Sequence, residues 1–513
     1  MADHITAIDI AREHFEMGRR ASEASLFEEA KRSYTSAADA ARIWQDQSVA
    51  TEGRVIAARL CADALYSAGM AGARLVPPVV EPLQQATLEG ITIFETTALE
   101  GDVRLHGLYR AQCSAFELGH IMVEVDIERA IELFQDAIGC VGALASLEAT
   151  TRAKEARLYA NAAAASFALA NLLRQEEHQN FKDHLKLSIE HASTALNTNE
   201  LPLAMAFETR LLLSDACYEV ALTESEQPKA LERLEQALGW ARDAAEAPGA
   251  DAMMQADALL RGARYACVYG LYLRHTDFDG GVDALKGAIQ LALATLEADH
   301  LPLSVRANAY DLAVRTQQNI ALLLKESDSE GSRDAFALAA SMATEFSRDQ
   351  MLPKVTRAEL VYLTANATLE QAIQLQMVAG MEQHKPAIAL FEDVKRMARG
   401  VLRGADAKPD TGARVALLAC GACGRLLRAL SQEDKAGILR ELTGIVQFGE
   451  QASELTEANK SLRAQGAFFA GDAANRLAEH ETDSTLVAAA KARADRLLAL
   501  SKALDPEKSR ASH

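Results

Sequence analysis

From Ala30 onward, a small residue, a large residue and a small or apolar residue recur at positions i, i+4 and i+7, at intervals of roughly 50 residues. The triplets are Ala30/Tyr34/Ala37, Ala130/Phe134/Ala137, Leu185/Ile189/Ala192, Ala230/Leu234/Ala237, Leu285/Ile289/Ala292, Ala387/Phe391/Val394 and Ile438/Leu442/Ile445. A step of four followed by a step of three places all three side chains on one stripe of an α-helix. A single helix cannot bury such a stripe, so a chain that repeats it must stack its helices against one another.

Between the striped helices lies a second set, each introduced by a break and often by proline: Pro202, Pro248, Pro302, Pro353 and Pro409. Proline suits the first turn of a helix, where its missing N–H has no partner to lose. We term the proline-opened helices A and the striped ones B. The pattern predicts A helices near 4–20, 50–68, 102–120, 150–174, 202–222, 250–274, 302–325, 353–380, 410–430 and 459–479. B helices follow near 26–44, 80–98, 126–146, 181–197, 228–246, 279–297, 332–347, 385–402, 435–456 and 484–504. Linkers such as His275-Thr-Asp-Phe-Asp-Gly-Gly281 combine turn formers with helix caps, and none reads as a domain divider. The expected fold is all-α: a right-handed α-solenoid of about ten stacked helical hairpins, one domain over 1–504, with a disordered tail at 505–513. The apolar loop Leu75-Val-Pro-Pro-Val-Val80 is expected to pack on its own hairpin.

Several B helices resemble those of the tetratricopeptide repeat superfamily, notably Leu26–Ala40, Asp126–Ala137 and Phe278–Ala288. The resemblance extends over residues 4–504, with a longer period than the family's 34 residues and no W-x2-L-G-x2-Y signature. Units opening Pro-x-x-x-Arg-Ala, as in Pro302–Ala307 and Pro353–Ala358, are similar to arrays that accompany caspase-like CHAT protease domains. The resemblance implies a TPR-like superhelix whose A helices line a concave face.

Composition narrows the function. The formal charge of −19 repels phosphate backbones and anionic bilayers, which argues against nucleic acid and membrane partners. No secretory signal is visible in the first twenty residues, so the expected location is cytoplasmic, and the Ala- and Arg-rich usage hints at a bacterial source. Seven cysteines in 513 residues do not form a disulfide framework. Cys61, Cys113, Cys217, Cys267 and Cys420 fall in A helices as small packing residues, and the lone Cys420-x-x-Cys423 reads the same way. Glu117/His120 and Glu297/His300 copy a di-iron ligand spacing but lie too far apart in an array to share a core. His178, His184 and His191 read as a solvated face, and Asp277-Phe-Asp279 as a turn with a helix cap. No catalytic motif, metal site or cofactor is expected.

One feature bears either on the joints between repeats or on binding. Arginine recurs near the start of A helices, at Arg54, Arg104, Arg152, Arg306, Arg357, Arg414 and Arg463, with Arg210 and Arg261 nearby. Pairing with a carboxylate of the preceding B helix would lock repeats together; facing the groove would grip an acidic peptide. Asn161 and Asn366 follow two of these arginines by nine residues. The candidate concave-face ligands are therefore Arg152, Asn161, Arg210, Arg261, Arg306, Arg357 and Asn366. The expected function is a non-catalytic scaffold or adaptor for a protein or peptide. A regulatory partner of a CHAT-type protease or defence system, and an all-helical enzyme of unfamiliar type, stand as the alternatives.

Overall fold

The computed structural model describes residues 7–47, 51–147, 151–298, 300–379, 385–404 and 406–505. They form twenty α-helices paired into ten hairpins, with no strand among the described residues. In the first five hairpins the A and B helices alternate as α1 (Ala7–Glu23), α2 (Phe27–Gln47), α3 (Thr51–Ala73), α4 (Glu81–Glu95), α5 (Gly101–Met122), α6 (Ile127–Gly139), α7 (Arg152–Gln175), α8 (Phe181–Asn197), α9 (Leu203–Thr223) and α10 (Gln227–Ala245). The other five are α11 (Ala252–Leu273), α12 (Phe278–Thr295), α13 (Leu303–Leu324), α14 (Ser329–Phe346), α15 (Lys354–Ala379), α16 (Lys385–Arg403), α17 (Pro409–Ala429), α18 (Lys435–Glu454), α19 (Lys460–His480) and α20 (Ser484–Leu504). Contacts cluster into two compact units, Met1–Ala258 and Leu259–His513, with the boundary inside α11. Of the tail expected from 505, residues 506–513 lie outside the described residues.

The helix ends follow from local chemistry. Asp126, Asp277, Asp328 and Asp434 cap B helices by accepting the N–H of the third residue onward. At three of these caps that residue is a glycine, Gly280, Gly331 or Gly437, and a Cβ there would stand 2.2–2.4 Å from a carboxylate oxygen. The Asp-x-x-Gly opening therefore gives the capping carboxylate room. Pro202 and Pro302 occupy the N-cap, one position ahead of the expected first turn, while Pro409 opens α17 itself. One helix is shorter than the sequence suggests: α6 ends at Gly139, and the chain continues as a short 3-10 turn, Gly142–Ser146. Two glycines within four residues remove the helix propensity there. The 75–80 loop folds back on its hairpin through the Val79 N–H, which donates to Gly72 O at 3.0 Å, and leaves Val76 97% exposed.

The striped residues are the core. Ala30, Ala37, Phe134, Leu234, Leu285, Phe391 and Leu442 are all buried. One cluster joins Leu83 of α4, Ala115 of α5, Phe134 of α6 and Leu169 of α7, so each hairpin completes its core with its neighbours. A buried Leu or Phe of this kind contributes about 1.5–3 kcal/mol. Within each unit successive A helices also touch, α3 with α5, α5 with α7 and α7 with α9 in the first, and α13 with α15, α15 with α17 and α17 with α19 in the second. Successive B helices make no comparable backbone approach among the described residues. The A side of each unit is thus its tight side, and clefts remain between B helices.

Glycine sets several close crossings, one within a hairpin at Gly270 and Gly281 and two between a B helix and the next A helix. A Cβ on Gly90 would meet Gly107 O at 2.6 Å, and one on Gly107 would meet Gly90 O at 2.7 Å. The same reciprocal pair recurs at Gly449 and Gly466, with contacts of 2.6 and 2.7 Å. Because the obstacle is backbone, no rotamer change relieves it. Gly449→Ala is expected to destabilise the protein by about 1–3 kcal/mol through overpacking. Gly424→Ala, at a helical glycine with nothing within 4 Å of the added methyl, should instead stabilise by about 0.5–1 kcal/mol. Urea denaturation of the two variants checks the opposite signs.

Candidate functional site

The recurrent arginine occupies the fourth residue of α3, α5, α13, α15 and α19, as Arg54, Arg104, Arg306, Arg357 and Arg463. A cation near a helix N-terminus opposes that helix's own dipole, so its position needs a compensating partner. Arg104 Nε donates to Phe94 O at 2.7 Å, with its guanidinium 5.3 Å from the Phe94 ring centre. Arg463 does the same ten residues back, donating to Ser453 O at 3.1 Å, and also to Thr456 O at 3.2 Å. These arginines reach the C-terminal carbonyls of the preceding B helix, where the dipole is negative. The carboxylate partner expected on that helix is replaced by backbone at these two positions. Arg306 does find a carboxylate, Asp349 at 3.6 Å, but that residue follows the B helix of its own hairpin and also accepts the Tyr310 hydroxyl.

The seven candidate ligands do not form one array. Arg152, Asn161 and Arg210 belong to the first unit, while Arg261, Arg306, Arg357 and Asn366 belong to the second. Arg152 is exposed at the first residue of α7, and Arg210 and Arg261 are half-buried farther along α9 and α11. Asn161 Nδ2 donates to Cys113 Sγ at 3.1 Å. Arg357 is half-buried, with its Nε shielded from water and donating to nothing among the described residues. Asn366 is half-buried on α15.

A different set of charges bridges the A helices. In the first unit Asp102 of α5 pairs with Arg59 of α3 at 2.5 Å and with Lys154 of α7. Asp63 of α3 receives His106 at 3.0 Å and Arg110 at 2.5 Å, both from α5. Burial pushes the Asp63 carboxyl up, but the His106 hydrogen bond and the Arg110 charge outweigh it and hold the carboxyl below its usual range. Arg174 of α7 pairs with Glu219 of α9. In the second unit Glu359 of α15 accepts from Arg315 of α13 at 3.3 Å and from the Thr411 hydroxyl of α17 at 2.6 Å. Lys325 and Glu370 join the same helices farther along, at 3.1 Å. Other bridges link B helices, and the most buried joins Lys395 of α16 to Glu441 of α18, only 4% and 0% exposed, at 2.8 Å. Sequence reading missed this network, although its signal was present as opposite charges separated by about one repeat length.

Several residues weighed in the sequence lie in the interior. All seven cysteines are free, and all but the half-buried Cys140 are buried, with burial pushing the Cys423 thiol up to about 12 and that of Cys113 to about 11. His120 sits edge-on between Phe116 and Phe134, at 4.5 and 5.2 Å. Among the described residues no three of His, Cys, Asp or Glu are grouped to hold a metal ion. The expectation of a solvated histidine face is corrected: His178 is exposed, but His184 is half-buried and His191 is buried against Tyr159, with ring centres 5.8 Å apart. His191 and Ala192 belong to the face that α8 packs onto α7, which a count of polar residues along α8 does not show.

Two of the clefts on the second unit border α15. On the A side a cleft of about 420 Å³ crosses α13, α15 and α17, lined by Asn308, Val355, Thr356, Lys408 and Arg414 beside the Glu359 bridge. On the B side a cleft of about 820 Å³ lies between α14 and α16 over α15, lined by Thr344, Arg348, Thr364, Thr368, Gln371 and Met397.

No protein-family model matches the chain, and no curated protein matches its sequence. Among solved structures it is similar to the S. pombe nuclear import adaptor Nro1, at 15% identity and a TM-score of 0.38, covering 65% of this chain and 96% of that one. A circular tandem repeat protein with novel repeat topology matches at 14% identity and a TM-score of 0.17, covering 99% and 98%. The structure of Naa15/Naa10 bound to HypK-THB matches at 12% identity and a TM-score of 0.16, covering 96% and 80%. The helices of this chain decide the class by themselves. It is an all-α helical-repeat protein. No helix among the described residues is long and apolar enough to cross a membrane.

Burial lowers the pKa of His184 and His191 from the ordinary 6.5, outweighing the nearby carboxylates that act upward. The folded state therefore holds both rings neutral longer than the unfolded chain does. Their contribution to stability is present above the unfolded value and is lost as pH falls through the lowered folded value. The urea midpoint should drop between about pH 7.5 and pH 5.5. His191→Phe, which keeps the contact with Tyr159, should flatten that dependence.

Proposed function

We propose that this chain is a non-catalytic scaffold that holds a protein or peptide partner on the A face of its second unit. The observation that carries the reading is the cleft across α13, α15 and α17. Its floor is locked by Arg315, Glu359 and Thr411, while Asn308, Thr356, Lys408 and Arg414 line its walls. Three helices fixed to one another present donors and apolar surface in a set geometry, so little conformational freedom is lost on binding. Exposed Val355 and Leu303 give the same face an apolar component suited to side chains of a polypeptide. A charge of −19 favours such a partner over nucleic acid. Of the residues singled out in sequence, the side chains of Arg152, Arg210, Arg357 and Asn366 carry no ion pair or hydrogen bond to another described residue, which supports them as further contacts on their own units.

A photo-crosslinking amino acid at Val355 tests the reading. In cells it should yield a covalent adduct with a defined polypeptide, whereas the same probe at Ala489 on α20 should not. With that polypeptide purified, Arg414→Ala should weaken binding by about 1.5–3 kcal/mol, the range for a hydrogen bond to a charged group, and leave the melting temperature in place. Adducts of equal yield from both sites, or none from Val355, would refute the A-face assignment.

A further inference from the structure

We infer that the cleft between α16 and α18, on the B side of the second unit, binds the carboxylates of an acidic polypeptide segment. This is a contact distinct from the A-face cleft. The cleft encloses about 330 Å³. Arg399 and Arg403 project from one wall and Gln447 and Gln451 from the other, above the buried ring of Phe448. Each wall repeats its donor after four residues, about 6 Å along the helix. The cleft therefore offers two donor sets in succession, matched to successive carboxylates, where a lone phosphate would fill one.

The charges favour an anion. Glu450 lies on the same wall as the glutamines, but Arg493 and Arg496 of α20 already bind it, through 2.7 Å and 3.1 Å hydrogen bonds among others. The Arg493 bond holds its carboxyl below the usual range, so Glu450 stays ionised and engaged with α20. Glu454 is the one other carboxylate of the lining, and its charge acts on Arg493 of α20. Counting the arginines of α20, four guanidinium groups meet two carboxylates here, on a protein whose net charge is −19. Arg403, Gln447 and Gln451 make no hydrogen bond or ion pair among the described residues.

The arginines are also arranged against the local interest of the helix. Two like charges at i and i+4 repel on a helix surface. The α16 C-terminus offsets part of that repulsion through its dipole, but the dipole gives no reason for two amide side chains to face the arginines. Arg399 is held in place by the aromatic ring beneath it, its guanidinium carbon 5.7 Å from the Phe448 centre. A guanidinium so placed keeps its edge free for a two-point contact with a carboxylate.

Fluorescence anisotropy with a labelled decaglutamate peptide, on the full chain in about 50 mM salt where exposed charges are weakly screened, reads the site directly. Saturable binding is expected, at least about tenfold weaker in the Arg399→Gln/Arg403→Gln protein and weakened by added salt. The charge-inserting Gln447→Glu/Gln451→Glu protein should also lose binding, and Arg414→Ala, on the A face, should bind as the wild type does. Circular dichroism melts of each variant confirm that the fold is retained. The inference is overturned if the wild type shows no saturable binding or if Arg399→Gln/Arg403→Gln binds unchanged. It is likewise overturned if inorganic phosphate binds the cleft while decaglutamate does not, which would assign it to a single phosphate group. Failure of the Val355 crosslink leaves this result untouched, since the two sites lie on different helices and faces.

Discussion

The close packing of consecutive helices is the constraint on which the rest of the structure depends. Where Gly90 meets Gly107, and where Gly449 meets Gly466, two backbones approach until there is no space for a methyl group. Elsewhere alanine performs the same service, as the buried Ala30, Ala137, Ala237 and Ala292 show. Small residues at the crossings bring each helix near enough for large ones, such as Phe134 and Phe391, to reach into neighbouring hairpins. Dispersion and burial then act across hairpins as well as within them.

That spacing also determines which charges meet. Once consecutive A helices touch, a cation on one and a carboxylate on the next come within reach, and Asp102 and Glu359 each serve two neighbouring helices at once. Half-exposed pairs of this sort contribute little individually. Their larger effect is on register, because a hairpin that slid along its neighbour would separate several pairs together. The arginines near the A-helix starts act on another joint, tying the end of one B helix to the start of the next hairpin by carbonyl contacts.

Helix positions were legible in the sequence because their signals are local. A triplet spaced four and three, a proline at a helix start and an aspartate cap are each complete within a few residues, and nearly every predicted boundary falls close to the observed one. Gly139 and Gly142 were equally visible but were outweighed by the apolar pattern around them. What escaped notice depends on two helices at once. Asp63 does not announce His106 and Arg110, and Gly449 looks like any helical glycine until Gly466 is set against it. The arginine register was plain, yet its acceptor at Arg104 and Arg463 is backbone, which has no identity in a sequence. The donors of the B-side cleft were hidden for the same reason, since Arg399 and Gln447 come from different hairpins.

The pair formed by Lys395 and Glu441 carries a consequence for how repeats can be exchanged. Both are buried, and loss of either would leave the other with only its more exposed partner, Glu392 at 3.1 Å for Lys395 and Arg440 at 3.0 Å for Glu441, at a cost in stability. A well-packed apolar pair in the same place would be tolerated, but every single substitution on the way to it passes through a damaged protein. The eighth and ninth hairpins are therefore bound to change together. Inserting a repeat between these adjacent hairpins would separate the two charges, so this joint is one where lengthening the array carries a cost.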